Sequence, residues 1–371
     1  MNPVKQPTDP QHAPRPIFIV GYMHSGTTLL RKVIGRHPDV FSIRAETMFF
    51  DQLAHALPQR FPRLQDDAVL EEYVRFLIKK TTFDWPPLTA AEAELEAKQF
   101  QPDEELTRRI IAAAKANRDY QAIFSLVFEA IAAAAGKSHW IEKTPSHIFY
   151  VEEIVKALPD VRIIELVRDP RDVLASKKVR KHSDWSERYG QAVGARMQTT
   201  KGYDPLRDSL GWRAAVRAGG MASARYPEAL FRLRYEDLAS DSEGMVRRLC
   251  EFLGLAFDPA MLDVGWSNST VQSGTEGEAG IDRRAIGKWQ SKLSSDVVAL
   301  CQMLNGHEMM ALGYELQENS FGSRVKSPYW VARSGVDLLA HYYELWRSRG
   351  LDYVRGMAHN SWRRAGHLAK R

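Results

Sequence analysis

The apolar run Ile17-Phe18-Ile19-Val20-Gly21 passes directly into Tyr22-Met23-His24-Ser25-Gly26 and then into a helical pattern from Thr27 to about Arg36. A run that is apolar at consecutive positions, rather than alternating, suits a strand covered on both faces, as in a parallel sheet. A buried strand that feeds a helix through so short a turn restricts the chain to an α/β architecture. The same junction gathers unpaired backbone N–H groups and the positive end of a helix dipole at one place, where an anion can bind. The hydroxyls of Ser25, Thr27 and Thr28 add donors, and Gly26 allows the backbone to approach a phosphate closely. Simple capping of the helix by Ser25 and Thr27 is the plainer alternative. No Gly-Lys-Ser/Thr triplet closes the turn, so it is not a Walker A loop.

The α/β rhythm continues along the chain. His37-Pro38-Asp39 ends the first helix, and 40–43 reads as a second short strand. Residues 48–136 are helix-rich, with a capping-box pattern at Thr89-Ala90-Ala91-Glu92 and helices over 110–116 and 122–135, and read as a helical insertion covering one side of the sheet. Further strands are predicted at 139–142 (a strand edge), 161–167 and 229–235, and helices at 146–158, 171–179, 206–225, 242–253 and 296–312. Glycine and small polar residues make 266–286 a mobile surface loop. The expected organisation is a disordered lead-in at 1–16, a main domain at 17–315 and a helical basic extension at 316–371.

The proline-rich lead-in lacks the apolar centre of a secretory signal, and no stretch of about 18 uncharged apolar residues could cross a bilayer, so a cytoplasmic protein is expected. The two cysteines, Cys250 and Cys301, fall in amphipathic helical patterns, where cysteine behaves as a small buried hydrophobe. A net charge of +5 suits a polyanion, and nucleic acid, an acidic membrane and a multiply phosphorylated cofactor all qualify.

A second motif, Arg168-Asp169-Pro170-Arg171-Asp172-Val173-Leu174-Ala175-Ser176, with Arg180 beyond it, follows the strand at 161–167. Ser176 and Arg180 are four apart and share a helix face, so with Arg168 they can clamp one dianionic phosphate. Arg171 and Asp172 read singly as surface helix charges.

Ser25-Gly26-Thr27-Thr28-Leu29-Leu30 after a strand resembles the 5′-phosphosulfate loop of the sulfotransferase superfamily, and Arg168 to Ser176 is similar to its 3′-phosphate motif. Arg234-Tyr235-Glu236-Asp237-Leu238 and Gly287-Lys288-Trp289 resemble two further blocks, in the same order, so that the resemblance covers 17–289 and is nearest to the branch with tyrosylprotein and some bacterial sulfotransferases. The resemblance implies a P-loop-like parallel sheet flanked by helices, and 3′-phosphoadenosine 5′-phosphosulfate as cofactor. It makes Glu46 the catalytic base, Lys143 the cation facing the sulfuryl group, and Arg168, Ser176 and Arg180 the 3′-phosphate clamp. Tyr235 becomes a cofactor contact, Lys288 a cation near the 5′-phosphate, and Ser273 a loose correspondence. His24 stands where the family has arginine or lysine. With an ordinary histidine pKa of about 6.5 its charge depends on pH, unless it serves as a neutral donor.

Sulfuryl transfer needs a base, positive charge near the moving oxygens and an in-line arrangement, which Glu46 and Lys143 can serve, with His147 as a rival base. No metal-ligand spacing appears, so the chemistry requires no metal. The acceptor is a hydroxyl on a glycan, lipid, small metabolite or peptide tyrosine, and nucleic acid is not expected as a partner. The alternatives are a P-loop kinase or other nucleotide phosphotransferase, which wants a lysine and a magnesium carboxylate not found here, and a non-catalytic nucleotide-binding protein attached to a membrane. The tail, with seven Lys or Arg after Leu345, suits a packed C-terminal helix with a solvated basic face, or docking on an acidic membrane or in a homodimer.

Overall fold

The computed structural model describes residues 13–53, 56–82, 99–182, 203–264 and 281–318, together with 329, 330, 332, 334, 361–363 and 365–368 of the tail. Five strands, β1 (Arg15–Gly21), β2 (Val40–Ser42), β3 (His139–Lys143), β4 (Arg162–Val167) and β5 (Leu230–Arg234), form one sheet in the order β2-β3-β1-β4-β5. All four pairings are parallel. The central strand is the one whose sequence is apolar on both faces, and Ile17, Phe18, Ile19 and Val20 are all 0% exposed.

Alternate residues of β1 enter different cores. Phe18 and Val20 join Phe41, Trp140 and Ile163 beneath the helices Phe49–Leu53, Asp67–Thr82, Glu104–Ala114, Tyr120–Ala134 and Pro205–Arg225. Ile17 and Ile19 join Ile141, Ile164 and Leu233 beneath Thr27–Gly35 and Ser242–Leu253. Each such side chain contributes roughly 1.5–3 kcal/mol when fully buried, so β1 ties both helical layers to the sheet. The 48–136 segment supplies most helices of the first layer, covering one side of the sheet. The capping-box residues 89–92 and most of the 266–286 loop lie outside the described residues.

Caps fix the helix starts. Asp204 accepts from the Arg207 N–H at 3.0 Å, Asp119 from Gln121 and Ala122, and Asp241 from Gly244. The segment expected as one helix over 146–158 is instead a 3-10 turn, Pro145–Tyr150, leading into the helix Val151–Ala157. The strand at 139–143 is not at an edge: it lies between β2 and β1, and all five of its residues are buried. On β4, Glu165 is buried and takes a two-pronged contact from Arg232 of β5, at 2.7 and 3.1 Å. Burial raises the Glu165 pKa against the pull of that guanidinium.

The described tail residues pack on the domain. Arg363 donates to the Phe149 carbonyl at 2.8 Å, lies 4.3 Å over the Tyr150 ring and pairs with Glu153, while Arg217 donates to the Leu368 carbonyl at 2.6 Å. Trp362 stays 79% exposed. No helix among the described residues is long and apolar enough to cross a membrane.

Candidate active site

Every strand of a parallel sheet ends on the same side, and ligands bind outside those carboxyl ends where the strand order changes direction. Here β1 leads to His24–Thr28, β2 to Glu46, β3 ends at Lys143, β4 leads to Arg168 and β5 to Tyr235. One edge of the sheet thus gathers residues that are far apart in sequence. Ile19 of β1 is in register with Lys143.

The turn after β1 is tightly wound. The Ser25 N–H donates to the Tyr22 carbonyl at 3.2 Å, and His24 and Gly26 both take positive φ, 66° and 98°. A side chain at residue 26 would meet the Tyr235 ring at 2.7 Å, so only glycine allows this approach. Helix Thr27–Gly35 has Gly26 at its N-cap with no side-chain cap bond, and the Ser25 Oγ does not cap it. Ser25 is 0% exposed, its Oγ has no hydrogen-bond partner among the described residues, and Thr28 is exposed.

Arg168 and Ser176 converge on His24. The Ser176 Oγ lies 3.1 Å from the His24 Nδ1, and the Arg168 guanidinium donates to the His24 carbonyl at 3.3 Å and the Ala285 carbonyl at 2.5 Å. The guanidinium also lies 4.7 Å over the Tyr235 ring, and its Nε is buried with no partner among the described residues. The two motifs read from the sequence are therefore adjacent in the fold and meet at His24. Arg180 is within the helix Pro170–His182, but its side chain and Ser273 lie outside the described residues. The Tyr235 hydroxyl donates to the Asp282 carbonyl at 3.0 Å, and burial pushes its pKa up to about 12, so it stays protonated.

Arg171 and Asp172 are not surface charges: they are 5% and 2% exposed. Arg171 pairs with Asp169 at 2.7 Å, donates to Gln302 and lies 4.2 Å over the Trp289 ring. Asp172 accepts from the Gly287 and Trp289 N–H groups at 2.8 and 2.9 Å, while burial pushes its carboxyl up against the pull of Arg168. Glu236 accepts from the Asp169 N–H and the Tyr314 hydroxyl, both at 2.9 Å. Lys288 is 3.9 Å from Asp282. Burial, helped by the Arg168 charge, lowers its pKa against the opposing effect of that carboxylate.

Beyond β2 and β3 a second group forms. Lys143 is buried and makes an ion pair with Glu46, whose side chain is 43% exposed. Beneath them Glu142, 0% exposed, accepts from the Thr47 N–H at 3.2 Å, the Thr47 hydroxyl at 2.8 Å and the Thr144 hydroxyl at 2.5 Å. Burial works against its charge, but His147 and these hydroxyls outweigh it and hold the carboxyl below its usual range. His147 is not a rival base: it is 0% exposed, 3.1 Å from Glu142 through Nδ1, and its Nε2 accepts from the Phe50 N–H at 3.3 Å.

Sequence reasoning missed Thr47, Glu142, Asp169, Asp172 and Glu236, the residues that hold the site in place. A charged residue inside an otherwise buried strand was the available signal for Glu142; for Asp169 and Asp172 it was membership of a motif whose other members were assigned.

Fold and site together define a parallel α/β protein whose strands end beside His24, Lys143, Arg168 and Tyr235. A sulfotransferase family profile matches residues 16–259, and the chain belongs to that family. Carbohydrate sulfotransferase 1 of Rattus norvegicus is 27% identical over 171 residues, 42% of this chain and 39% of the rat protein. The chain thus spans less than half the length of that relative. Omega-hydroxy-beta-dihydromenaquinone-9 sulfotransferase Stf3 of Mycobacterium tuberculosis is 26% identical over 280 residues, 65% of this chain and 63% of that one. Among solved structures, the sulfotransferase domain from the Synechococcus PCC 7002 olefin synthase is similar at a TM-score of 0.47 and 20% identity, covering 84% of this chain and all of that domain.

Proposed function

We propose that the chain is a sulfotransferase that moves a sulfuryl group from 3′-phosphoadenosine 5′-phosphosulfate to an alcohol hydroxyl. Two buried polar groups carry this reading: the Ser25 Oγ and the Arg168 Nε, each without a partner among the described residues, at the carboxyl ends of β1 and β4. A buried donor left unsatisfied costs roughly 1–3 kcal/mol, which acceptor oxygens of a phosphate would offset. Both residues thus fit an anionic nucleotide. When bound, the donor supplies the sulfuryl group and a nucleotide that departs as adenosine 3′,5′-bisphosphate.

The turn 24–28 and the helix behind it hold the 5′ end of the nucleotide. Arg168 reaches the 3′-phosphate through Nε while its other nitrogens brace the His24 and Ala285 carbonyls. Ser176 and Arg180 complete that clamp. Tyr235 lines the nucleotide, Lys288 adds positive charge, and His24 joins the turn to Ser176. Glu46 takes the proton of the incoming hydroxyl, and Lys143 keeps a cation at the place where the sulfuryl oxygens gain charge. Family membership supports the reaction class. The two relatives described above are named for a carbohydrate and for an omega-hydroxy quinone, which supports an alcohol rather than a phenol as acceptor.

Calorimetry without magnesium should show binding of adenosine 3′,5′-bisphosphate, and Arg168→Ala should weaken it at least about tenfold more than it weakens adenosine 5′-phosphosulfate. Stabilisation by ATP only in the presence of magnesium would instead identify a phosphotransferase. Mass spectrometry of glycan and lipid alcohols incubated with the donor then reads the added sulfate.

A further inference from the structure

Lys288 sits between two backbone N–H groups, those of Gly287 and Trp289, that end on one carboxylate. The Asp172 Oδ2 takes the first at 2.8 Å and its Oδ1 the second at 2.9 Å. Gly287 has φ of 74°, a left-handed conformation in which glycine is at ease. Trp289 is 8% exposed beneath the Arg171 guanidinium, and Arg171 is held in turn by Asp169. The segment is fixed on its other side as well, where Ala285 receives Arg168 and Asp282 receives Tyr235. Lys288 itself is only half buried and lies 3.9 Å from Asp282, so among the described residues its side chain has no short contact that would place it.

We propose that Asp172 is a positioning residue for donor binding: it acts through the backbone of Gly287 and Trp289 to hold Lys288 where it meets the nucleotide's 5′ phosphate end. The inference rests on the donor assignment above. A carboxylate that accepts two N–H groups fixes both the position and the direction of the peptide units it holds, which one side-chain contact cannot do. The helix Pro170–His182 also carries Ser176, so one rigid element sets the 3′-phosphate contact and the 287–289 segment together. The spacing between the two ends of the donor is then fixed by that helix.

A double-mutant cycle tests this, with binding of adenosine 3′,5′-bisphosphate measured by calorimetry. Asp172→Asn keeps the side-chain shape but replaces one acceptor by an NH2 group, and should weaken binding about tenfold, the effect of one charged hydrogen bond. In a Lys288→Ala background the same substitution should weaken binding less than about twofold, because the group it positions is gone. Equal losses in both backgrounds would show that Asp172 acts on the fold at large, and no loss in either would remove its role; either result overturns the proposal. Hydrogen exchange on the wild-type chain is independent of how the variants fold. Slow exchange at the Gly287 and Trp289 amides, slower still with the nucleotide, agrees with the proposal, and fast exchange at both overturns it. A wild-type chain that does not bind the nucleotide at all would overturn the donor assignment first.

Discussion

A glutamate that removes a proton from an alcohol has to be charged, within reach of the acceptor and held still. Glu46 is exposed enough to be reached, is paired with Lys143, and is followed by Thr47, whose backbone and hydroxyl are anchored on Glu142. Glu46→Gln should therefore lower turnover by about 10²- to 10⁴-fold, the usual weight of a general base, while the dissociation constant for adenosine 3′,5′-bisphosphate stays within about twofold. Turnover that survives the change would assign the proton to another group. At this scale the sequence named Glu46 and Lys143 through resemblance, and Arg168 and Ser176 through their spacing as well, and the structure brings them together in two groups. It misplaced Arg171 and Asp172 because a charged residue on a helix does not reveal which face the rest of the chain covers.

Among the elements, the strands and the long helices were legible because their apolar periods are regular; the helix Ser242–Leu253 falls on its predicted bounds. The stretch after β3 was not, because Pro145 starts a 3-10 turn in which Ser146 and His147 bond to Asp51 and Glu142 while Ile148, Phe149 and Tyr150 join the apolar core, so no helical period runs through it. That polar layer has a pH signature. The Glu142 carboxyl is held below its usual range, so its stabilisation is complete above the ordinary glutamate pKa of about 4.3 and is lost as pH falls through the lowered folded value. Glu142→Gln should lower the melting temperature at neutral pH and flatten the fall of that temperature below about pH 4.3, the ordinary glutamate pKa. A variant with the wild-type acid slope would place the acid sensitivity elsewhere.

For the molecule as a whole, the sequence left the tail between packing and docking, since aromatic and basic residues suit both. The described residues of 361–368 favour packing, with Arg363 spanning Phe149, Tyr150 and Glu153 and the His367 ring 5.6 Å from that of Phe149. Removing residues after Asn360 should lower the melting temperature by about 2–8 °C, as expected for the loss of a few kcal/mol in a chain of this size, with nucleotide affinity unchanged. An unchanged melting temperature would mean that these contacts add nothing. The single edge on which all five strands end divides its labour along the sheet. Under the function proposed above, the groups beyond β1, β4 and β5 would grip the nucleotide, whereas those beyond β2 and β3 would handle the proton and the moving charge. The segment joining β2 to β3 is also the one that supplies Thr47, Asp51 and the helices over that half. If the labour is divided in this way, replacing that one stretch of chain would alter the acceptor side while leaving the residues of the donor side in place.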